Sequence, residues 1–154
     1  MAQETGMPFA NLMGVEIVER GKDRVVGRLL VRPDLCTAGN ILHGGAFMAF
    51  ADALGAIGGH LNLTPGSRTT TIESKTNFLG AAREGTTVTG EATPLHIGRS
   101  SSVWQTRITG QDGRLVGLVI QTQMTVALSG DASLAALNPS PASEPGKRRR
   151  PDRG

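Results

Sequence analysis

The sequence predicts an α+β domain in which an antiparallel sheet of five to six strands wraps around one long helix. The first observation is an apolar stretch from Gly44 to Leu61 that stops at Thr64-Pro65-Gly66. The second is that long extended runs, rich in Thr and Val, follow one another directly after residue 69. Because parallel strands need a crossover of about a dozen residues, strands joined by short turns pair antiparallel. The one long helix then has only the sheet to pack against.

The remaining elements follow from local patterns. Phe9, Leu12 and Met13 have helical spacing, which predicts a short helix that ends at Gly14. The residues at 20–23 and 111–113 are typical of turns between strands. The predicted strands are Val15–Glu19, Arg24–Val31, Thr69–Leu79, Thr86–Leu95, Ser100–Thr109 and Arg114–Leu128.

The last of these strands alternates between two kinds of face. One face, which carries Leu118, Ile120 and Met124, is apolar apart from Thr122. The other face carries Val119 but turns polar at Gln123. This pattern is typical of a sheet with one buried face, and it assigns the apolar side to the interior.

The chain divides into an N-terminal segment at 1–11, a domain at 12–128 and a tail at 129–154. The tail contains four prolines and a basic run, so we expect it to be disordered. Its excess of two positive charges accounts for most of the net charge of +3. With aromatic residues at only 3%, the domain has neither a basic patch nor a stacking platform for nucleic acid.

Cysteine usage and the N-terminus favour a cytoplasmic protein. Cys36 is the single cysteine, so an internal disulfide is excluded and zinc sites of the paired-cysteine kind lack ligands. Residues 1–13 show no charged, then apolar, then small-residue pattern of a secretion signal. We therefore expect a reducing compartment.

The long helix has an unusual composition. Its only ionisable side chains are Asp52 and His60, and apolar residues occupy the rest of its surface, which predicts a helix enclosed on every face. A membrane span is the competing interpretation. Five glycines and a mid-helix aspartate argue against it, since that charge costs about 2.5–3.5 kcal/mol at the centre of a bilayer.

Two features of this helix are candidates for chemistry. His43-Gly44-Gly45 places residues without side chains at the helix start, where free N–H groups and the positive end of the helix dipole can stabilise a carbonyl oxyanion. Asp52 has two interpretations, a hydrogen-bonded carboxylate at a rim or a general base. The glycines and the histidine also have a plain structural interpretation as loop residues.

The length of the helix separates Gly44 from Asp52. Eight residues correspond to about 12 Å along a helix, whereas a base must lie within about 3 Å of the atom it serves. One helix therefore cannot bring both groups to one carbonyl. If both are catalytic, a second copy of the helix must lie antiparallel across a two-fold axis, and the protein must be a homodimer with two sites at its interface.

Three segments resemble a known family: NILHGGAFMAFAD at 40–52, TIESKTNFLGAAREG at 71–85 and HIGRSSSVW at 96–104. They are similar to the hotdog-fold acyl-CoA thioesterases of the PaaI type, relatives of the 4-hydroxybenzoyl-CoA thioesterases. The resemblance covers about residues 12–128. It implies a hotdog fold, hydrolysis of an aryl- or medium-chain acyl-CoA, and a homodimer that assembles into a dimer of dimers.

The resemblance also implies roles for individual residues. Asp52 corresponds to the helix carboxylate that acts as nucleophile or general base, and Gly44 to the residue whose N–H polarises the thioester carbonyl. His43 supports the loop or the substrate, and Thr71 lies near the carboxylate. No metal or separate cofactor is implied, because coenzyme A is part of the substrate. The residues implied to hold coenzyme A are Phe78, Leu79, Gly80, Ala81, His96, Gly98, Arg99, Ser100 and Ser101.

One position departs from the family pattern. Six residues before His43, where many members have Asn or Gln to orient water, this chain has Thr37. This departure leaves open a non-catalytic protein that binds acyl-CoA. A hydroxyacyl-thioester dehydratase, which shares the fold, is a second alternative.

Overall fold

The computed structural model describes residues 5–128. One long helix packs against one face of a six-stranded sheet. A short 3₁₀ turn occupies Pro33–Leu35. The helices and strands are α1 (Pro8–Met13), β1 (Glu16–Arg20), β2 (Val25–Leu30), α2 (Gly44–Leu61), β3 (Ser67–Phe78), β4 (Thr87–Ile97), β5 (Ser101–Thr109) and β6 (Leu115–Ala127).

The strands lie in the order β1-β2-β4-β5-β6-β3, and every neighbouring pair is antiparallel. The order of elements and the antiparallel sheet are those predicted from the sequence, and α2 begins and ends at the predicted residues. Because β3 leaves α2 and crosses to the far side of the sheet, β1 and β3 are its two edge strands. The predicted fold class is confirmed.

The helix α2 is buried on one side only. The side chains that face the sheet fill the core, whereas Met48 is 37% exposed and Asp52 is half-buried. The prediction of a helix enclosed on every face is therefore wrong for the single chain. The uncovered stripe has helical spacing, and it consists of Gly45, Met48, Ala49, Asp52 and Ala56.

The assignment of faces on β6 is also wrong. Val119, Gln121 and Gln123 are buried against α2, whereas Leu118 and Ile120 on the apolar face are only half-buried. The physical reason is Asp52 on α2, a polar group that needs hydrogen-bond donors. Gln121 donates to its carboxylate, and Gln123 donates to the neighbouring Thr71. The face that turns polar is thus the interior face.

Gly58 lies where α2 meets the fully buried Trp104. An added Cβ at Gly58 would lie 2.5 Å from Cη2 of the indole, whose Nε1–H donates to Ser102 Oγ at 3.0 Å. Alanine gains about 1 kcal/mol over glycine in a helix, but overpacking a core costs about 1–3 kcal/mol. We therefore expect Gly58→Ala to lower the free energy of unfolding in urea by about 1 kcal/mol. An increase would show that the indole can move aside.

The chain ends and α1 complete the description. Residues 1–4 and the predicted disordered tail at 129–154 lie outside the described residues. The helix α1 crosses the predicted boundary between the N-terminal segment at 1–11 and the domain at 12–128. Its Ala10 and Met13 are buried in the core. Within residues 5–128, no helix combines the length and the apolar character that crossing a membrane requires.

Candidate active site

The first turn of α2 contains backbone N–H groups that the helix itself cannot pair. His43 is the N-cap residue, and its Nδ1 accepts the Gly45 N–H at 2.9 Å. The His43 carbonyl accepts the Phe47 N–H at 3.0 Å. Within residues 5–128, neither the Gly44 N–H nor the Ala46 N–H has a hydrogen-bond partner, and Gly44 is the first residue of the helix. The histidine therefore caps the second N–H of the helix and leaves the first available to a ligand.

Phe78 lies close to the backbone of Gly44. An added Cβ at Gly44 would lie 3.2 Å from Cζ of Phe78, the last residue of β3. The Phe78 ring packs edge-on against Phe47, with centroids 5.5 Å apart, and is 56% exposed. Gly44 thus lies at the carboxyl end of the edge strand β3, close to solvent.

Asp52 lies two turns further along the uncovered stripe of α2. Its Oδ1 accepts two hydrogen bonds, from Thr71 Oγ1 at 2.8 Å and from Gln121 Nε2 at 2.9 Å. Within the described part of the chain, its Oδ2 has no partner. The carboxylate is thus held by one oxygen and presents the other.

A second layer supports Thr71. Gln123 Nε2 donates to Thr71 Oγ1 at 2.8 Å, and Thr69 Oγ1 donates to Gln123 Oε1 at 3.0 Å. Sequence reasoning missed Gln121 and Gln123. Their signal in the sequence is that both fall on the face of β6 that turns polar.

The structure brings Asp52 and Thr71 together, but it keeps Asp52 and Gly44 apart on one helix, by about 12 Å. Thr37 lies in the turn before α2, where its Oγ1 accepts the Gly39 N–H at 3.2 Å. Its hydroxyl keeps a proton to donate, but it belongs to the loop and not to the Asp52 network.

The loop before α2 is tied to the loop after β3. The Leu42 N–H donates to the Ala82 carbonyl at 2.8 Å, and the Glu84 N–H to the Asn40 carbonyl at 3.0 Å. Beyond this contact lies a cavity of about 650 Å³ whose lining includes Gly80, Ala81, Arg83 and Arg114. This cavity lies at the same end of the sheet as Gly44.

The other predicted coenzyme A segment lies at the opposite end of the sheet. Gly98, Arg99 and Ser100 form the turn between β4 and β5, with His96 near the end of β4 and Ser101 at the start of β5. β4 spans eleven residues, which is about 36 Å of extended chain. The two segments implied to hold coenzyme A are therefore not neighbours within one chain.

A second cavity, of about 500 Å³, adjoins the start of α2. Arg32 fixes one wall, because its guanidinium donates to the Met13 carbonyl at 2.9 Å and pairs with Asp34 at 3.0 Å. The hydrogen bond from Arg32 lowers the pKa of Asp34. The side chains that line this cavity are mostly apolar; its lining is Phe9, Leu12, Met13, Arg32, Asp34, Leu35, Cys36, His43, Gly45 and Ala46.

Metal ligands do not gather at either cavity. Among residues 5–128, no three His, Cys, Asp or Glu side chains lie close enough together to hold a metal ion.

Known proteins share this fold and this sequence pattern. The pattern of the thioesterase superfamily matches residues 39–117. A 1,4-dihydroxy-2-naphthoyl-CoA hydrolase of Listeria monocytogenes is 30% identical, over 71% of this chain and 89% of its own length. A Vibrio cholerae protein designated an esterase is 39% identical, over 57% of this chain and 56% of its own length. The matched region thus spans little more than half of the Vibrio protein.

A solved structure extends the likeness to the whole fold. A thioesterase from Haemophilus influenzae superimposes with a TM-score of 0.76 at 27% identity, over 83% of this chain and 89% of its own. The fold and the sequence pattern together define a hotdog-fold thioester hydrolase. The chain belongs to the thioesterase superfamily, and the expected resemblance is confirmed.

Proposed function

We propose that the protein hydrolyses an acyl-CoA, with an aryl or a medium-chain acyl group, to the free acid and coenzyme A. The observation that carries this proposal is that α2 presents two groups without a partner among residues 5–128: the Gly44 N–H and Oδ2 of Asp52. A carbonyl clamp and one carboxylate suffice for a thioester, because a thiolate is a good leaving group.

The reaction divides between these groups. The Gly44 N–H binds the thioester oxygen and stabilises the negative charge that develops on it. Asp52 either takes a proton from the attacking water or attacks the carbonyl carbon itself and forms an anhydride that water then hydrolyses. In both routes Oδ2 is the reacting oxygen, and the thiolate of coenzyme A leaves.

A homodimer supplies the two groups to one substrate. Asp52 touches Thr71, and Gly44 lies beside Phe78, so both groups lie along the edge strand β3. An exposed edge of twelve residues is a template for strand pairing. If two copies of β3 pair antiparallel about an axis near residues 74 and 75, Thr71 faces the partner's Phe78. Asp52 of one protomer then approaches the partner's Gly44.

The same two-fold axis serves the rest of the substrate. It reverses the partner's sheet, so the partner's turn with Arg99, Ser100 and Ser101 comes to the end of the sheet that holds Gly80 and Ala81. Guanidinium and hydroxyl groups suit the phosphates of coenzyme A. The half-buried apolar outer face of β6 is available for packing a dimer of dimers.

Release of thiol from benzoyl-, phenylacetyl- and medium-chain acyl-CoA tests the activity. We expect turnover of at least one of these without added metal. Tight binding of coenzyme A esters without any turnover would favour the non-catalytic binding protein instead, and dehydration of a hydroxyacyl-CoA would favour the dehydratase. Single turnover in ¹⁸O-water separates the two routes: label that enters Asp52 indicates an anhydride.

The cavity beside α1 is the proposed site of the acyl group, because His43 and Gly45 of its lining adjoin the Gly44 N–H. We expect Ala46→Leu, which narrows this cavity, to lower kcat/KM for phenylacetyl-CoA at least about tenfold relative to acetyl-CoA. Ala127→Leu, at the exposed end of β6, is the control and should leave the ratio unchanged. An unchanged ratio in Ala46→Leu would place the acyl group elsewhere.

Cys36 offers a second measurement in the same cavity. It is the single cysteine of the chain, and burial raises the pKa of its thiol. Alkylation at mildly alkaline pH therefore reports on this cavity alone, and an acid product bound there should protect the thiol.

A further inference from the structure

Two buried glutamines take no part in the chemistry proposed above. Gln121 is fully buried and Gln123 is 1% exposed, both on the interior face of β6. Burying an amide costs free energy unless its hydrogen bonds are made. The Gln121 amide donates to the carboxylate of Asp52, and the Gln123 amide donates to Thr71 beside it.

The hydrogen bonds at Asp52 are unevenly distributed. Gln121 Nε2 donates to Oδ1 at 2.9 Å and also lies 3.3 Å from the backbone carbonyl oxygen of Asp52. Thr71 donates to the same Oδ1. Two donors on one oxygen fix the rotation of the carboxylate and leave the other oxygen free to react.

Gln123 determines the direction of the hydrogen bond between Thr71 and Asp52. A threonine hydroxyl has one proton to donate. Because Gln123 Nε2 donates to Thr71 Oγ1, that oxygen is already an acceptor, and its proton points to Asp52. Gln123 is oriented in turn by Thr69, which donates to its Oε1. The chain of bonds therefore runs in one direction, towards the carboxylate.

The other end of the Gln121 amide is unsatisfied. Its Oε1 is buried and has no partner within residues 5–128. It lies over Gly55, where an added Cβ would be only 2.2 Å away. A buried acceptor without a partner destabilises the fold. Gln121 is therefore poorly suited to a purely structural role, and what it supplies is the donor to Asp52.

We propose that Gln121, together with Gln123 acting through Thr71, is a positioning residue that holds Asp52 by Oδ1 so that Oδ2 faces the thioester. This proposal rests on the proposed function, in which Asp52 is the reacting group. The orientation of the reacting oxygen matters as the bond to carbon or to the proton forms. The glutamines therefore act on kcat, and binding of the acyl-CoA is independent of them.

The test replaces Gln121 by methionine, which has a similar volume and no donor. We expect kcat to fall about 10- to 100-fold with KM within about twofold, while the midpoint of thermal unfolding stays the same or rises because the unpaired acceptor is gone. A structural role predicts the reverse: a lower midpoint and an unchanged kcat, which would overturn the proposal. Gln105→Met, on the outer face of β5, is the matched control and should change neither quantity.

Gly55→Ala displaces the same amide without altering it and provides a second variant if Gln121→Met fails to fold. It should lower kcat in the same way. The double variant Gly55→Ala/Gln121→Met combines the added methyl group with loss of the amide, so its kcat should be no lower than that of Gln121→Met alone. An unchanged kcat in Gly55→Ala would contradict the proposal.

Failure of this inference and failure of the proposed function are distinguishable. If Asp52→Asn keeps its rate, the proposed function fails. If Asp52→Asn loses its rate and the Gln121 and Gly55 variants do not, only the positioning role fails.

Discussion

Asp52→Asn should lower kcat for acyl-CoA hydrolysis by about 10²- to 10⁴-fold, the range expected for the loss of a general base. The amide has the same shape as the carboxylate, but it can neither take a proton from water nor form an anhydride. The measurement is thiol release under saturating substrate, with the best substrate of the acyl-CoA series. KM should change little, since the substrate's binding contacts remain.

The asparagine variant should fold, because its side-chain oxygen can still accept from Thr71 and Gln121 as Oδ1 does in the native protein. Circular dichroism and the unfolding midpoint check this. Thr71→Val is a useful companion, because it removes one donor to Oδ1 and keeps the carboxylate. A correctly folded Asp52→Asn protein with the native rate would refute the assignment of Asp52.

Gly44→Pro should lower kcat about 10²- to 10³-fold, the cost of losing one donor to an oxyanion. Gly44 is the first residue of α2, and proline is tolerated there because that N–H makes no bond within the helix. His43 has φ −64° and ψ 138°, which suits the residue before a proline. The substitution therefore removes the N–H and preserves the helix.

Gly44→Ala is the matched control. Its Cβ meets the exposed end of the Phe78 ring, as the proline ring does, but its N–H remains. Its kcat should therefore lie far closer to the native value than that of Gly44→Pro. Equal losses in the two variants would attribute the effect to crowding of Phe78 and would remove the N–H from the mechanism.

Mixing the two inactive variants tests the arrangement across the interface. A heterodimer of Asp52→Asn with Gly44→Pro has one site with both groups intact and one with neither. Random exchange of subunits should therefore restore about a quarter of the native rate. A site built within one chain predicts no recovery, as does a protein that is a monomer in solution.

The fold was largely predictable from the sequence because its signals are local. Two local signals mark where elements begin and stop: Pro65-Gly66 shortly after the end of α2, and the turn at 111–113. Once one long helix follows two strands and precedes four, few antiparallel arrangements remain. Capping by His43 is also a local effect, since it joins residues two apart.

The errors and omissions share a different cause. The buried face of β6 could not be read from alternation, because the choice depends on Asp52, which lies 69 residues away in the chain from Gln121. The cavity beside α1 is formed by residues from three separate segments and gives no pattern in any one of them. Such features depend on contacts between elements, and local periodicity carries no information about those.

The fit between Gly55 and Gln121 has an evolutionary consequence. In homologues, the two positions are expected to change together: a side chain on the helix at 55 is compatible only with a shorter residue on the strand at 121, and a glutamine there requires glycine opposite. Homologues that lack both Gly55 and Gln121 need another hydrogen-bond donor to the carboxylate at position 52. This coupled substitution would therefore distinguish subgroups of the family.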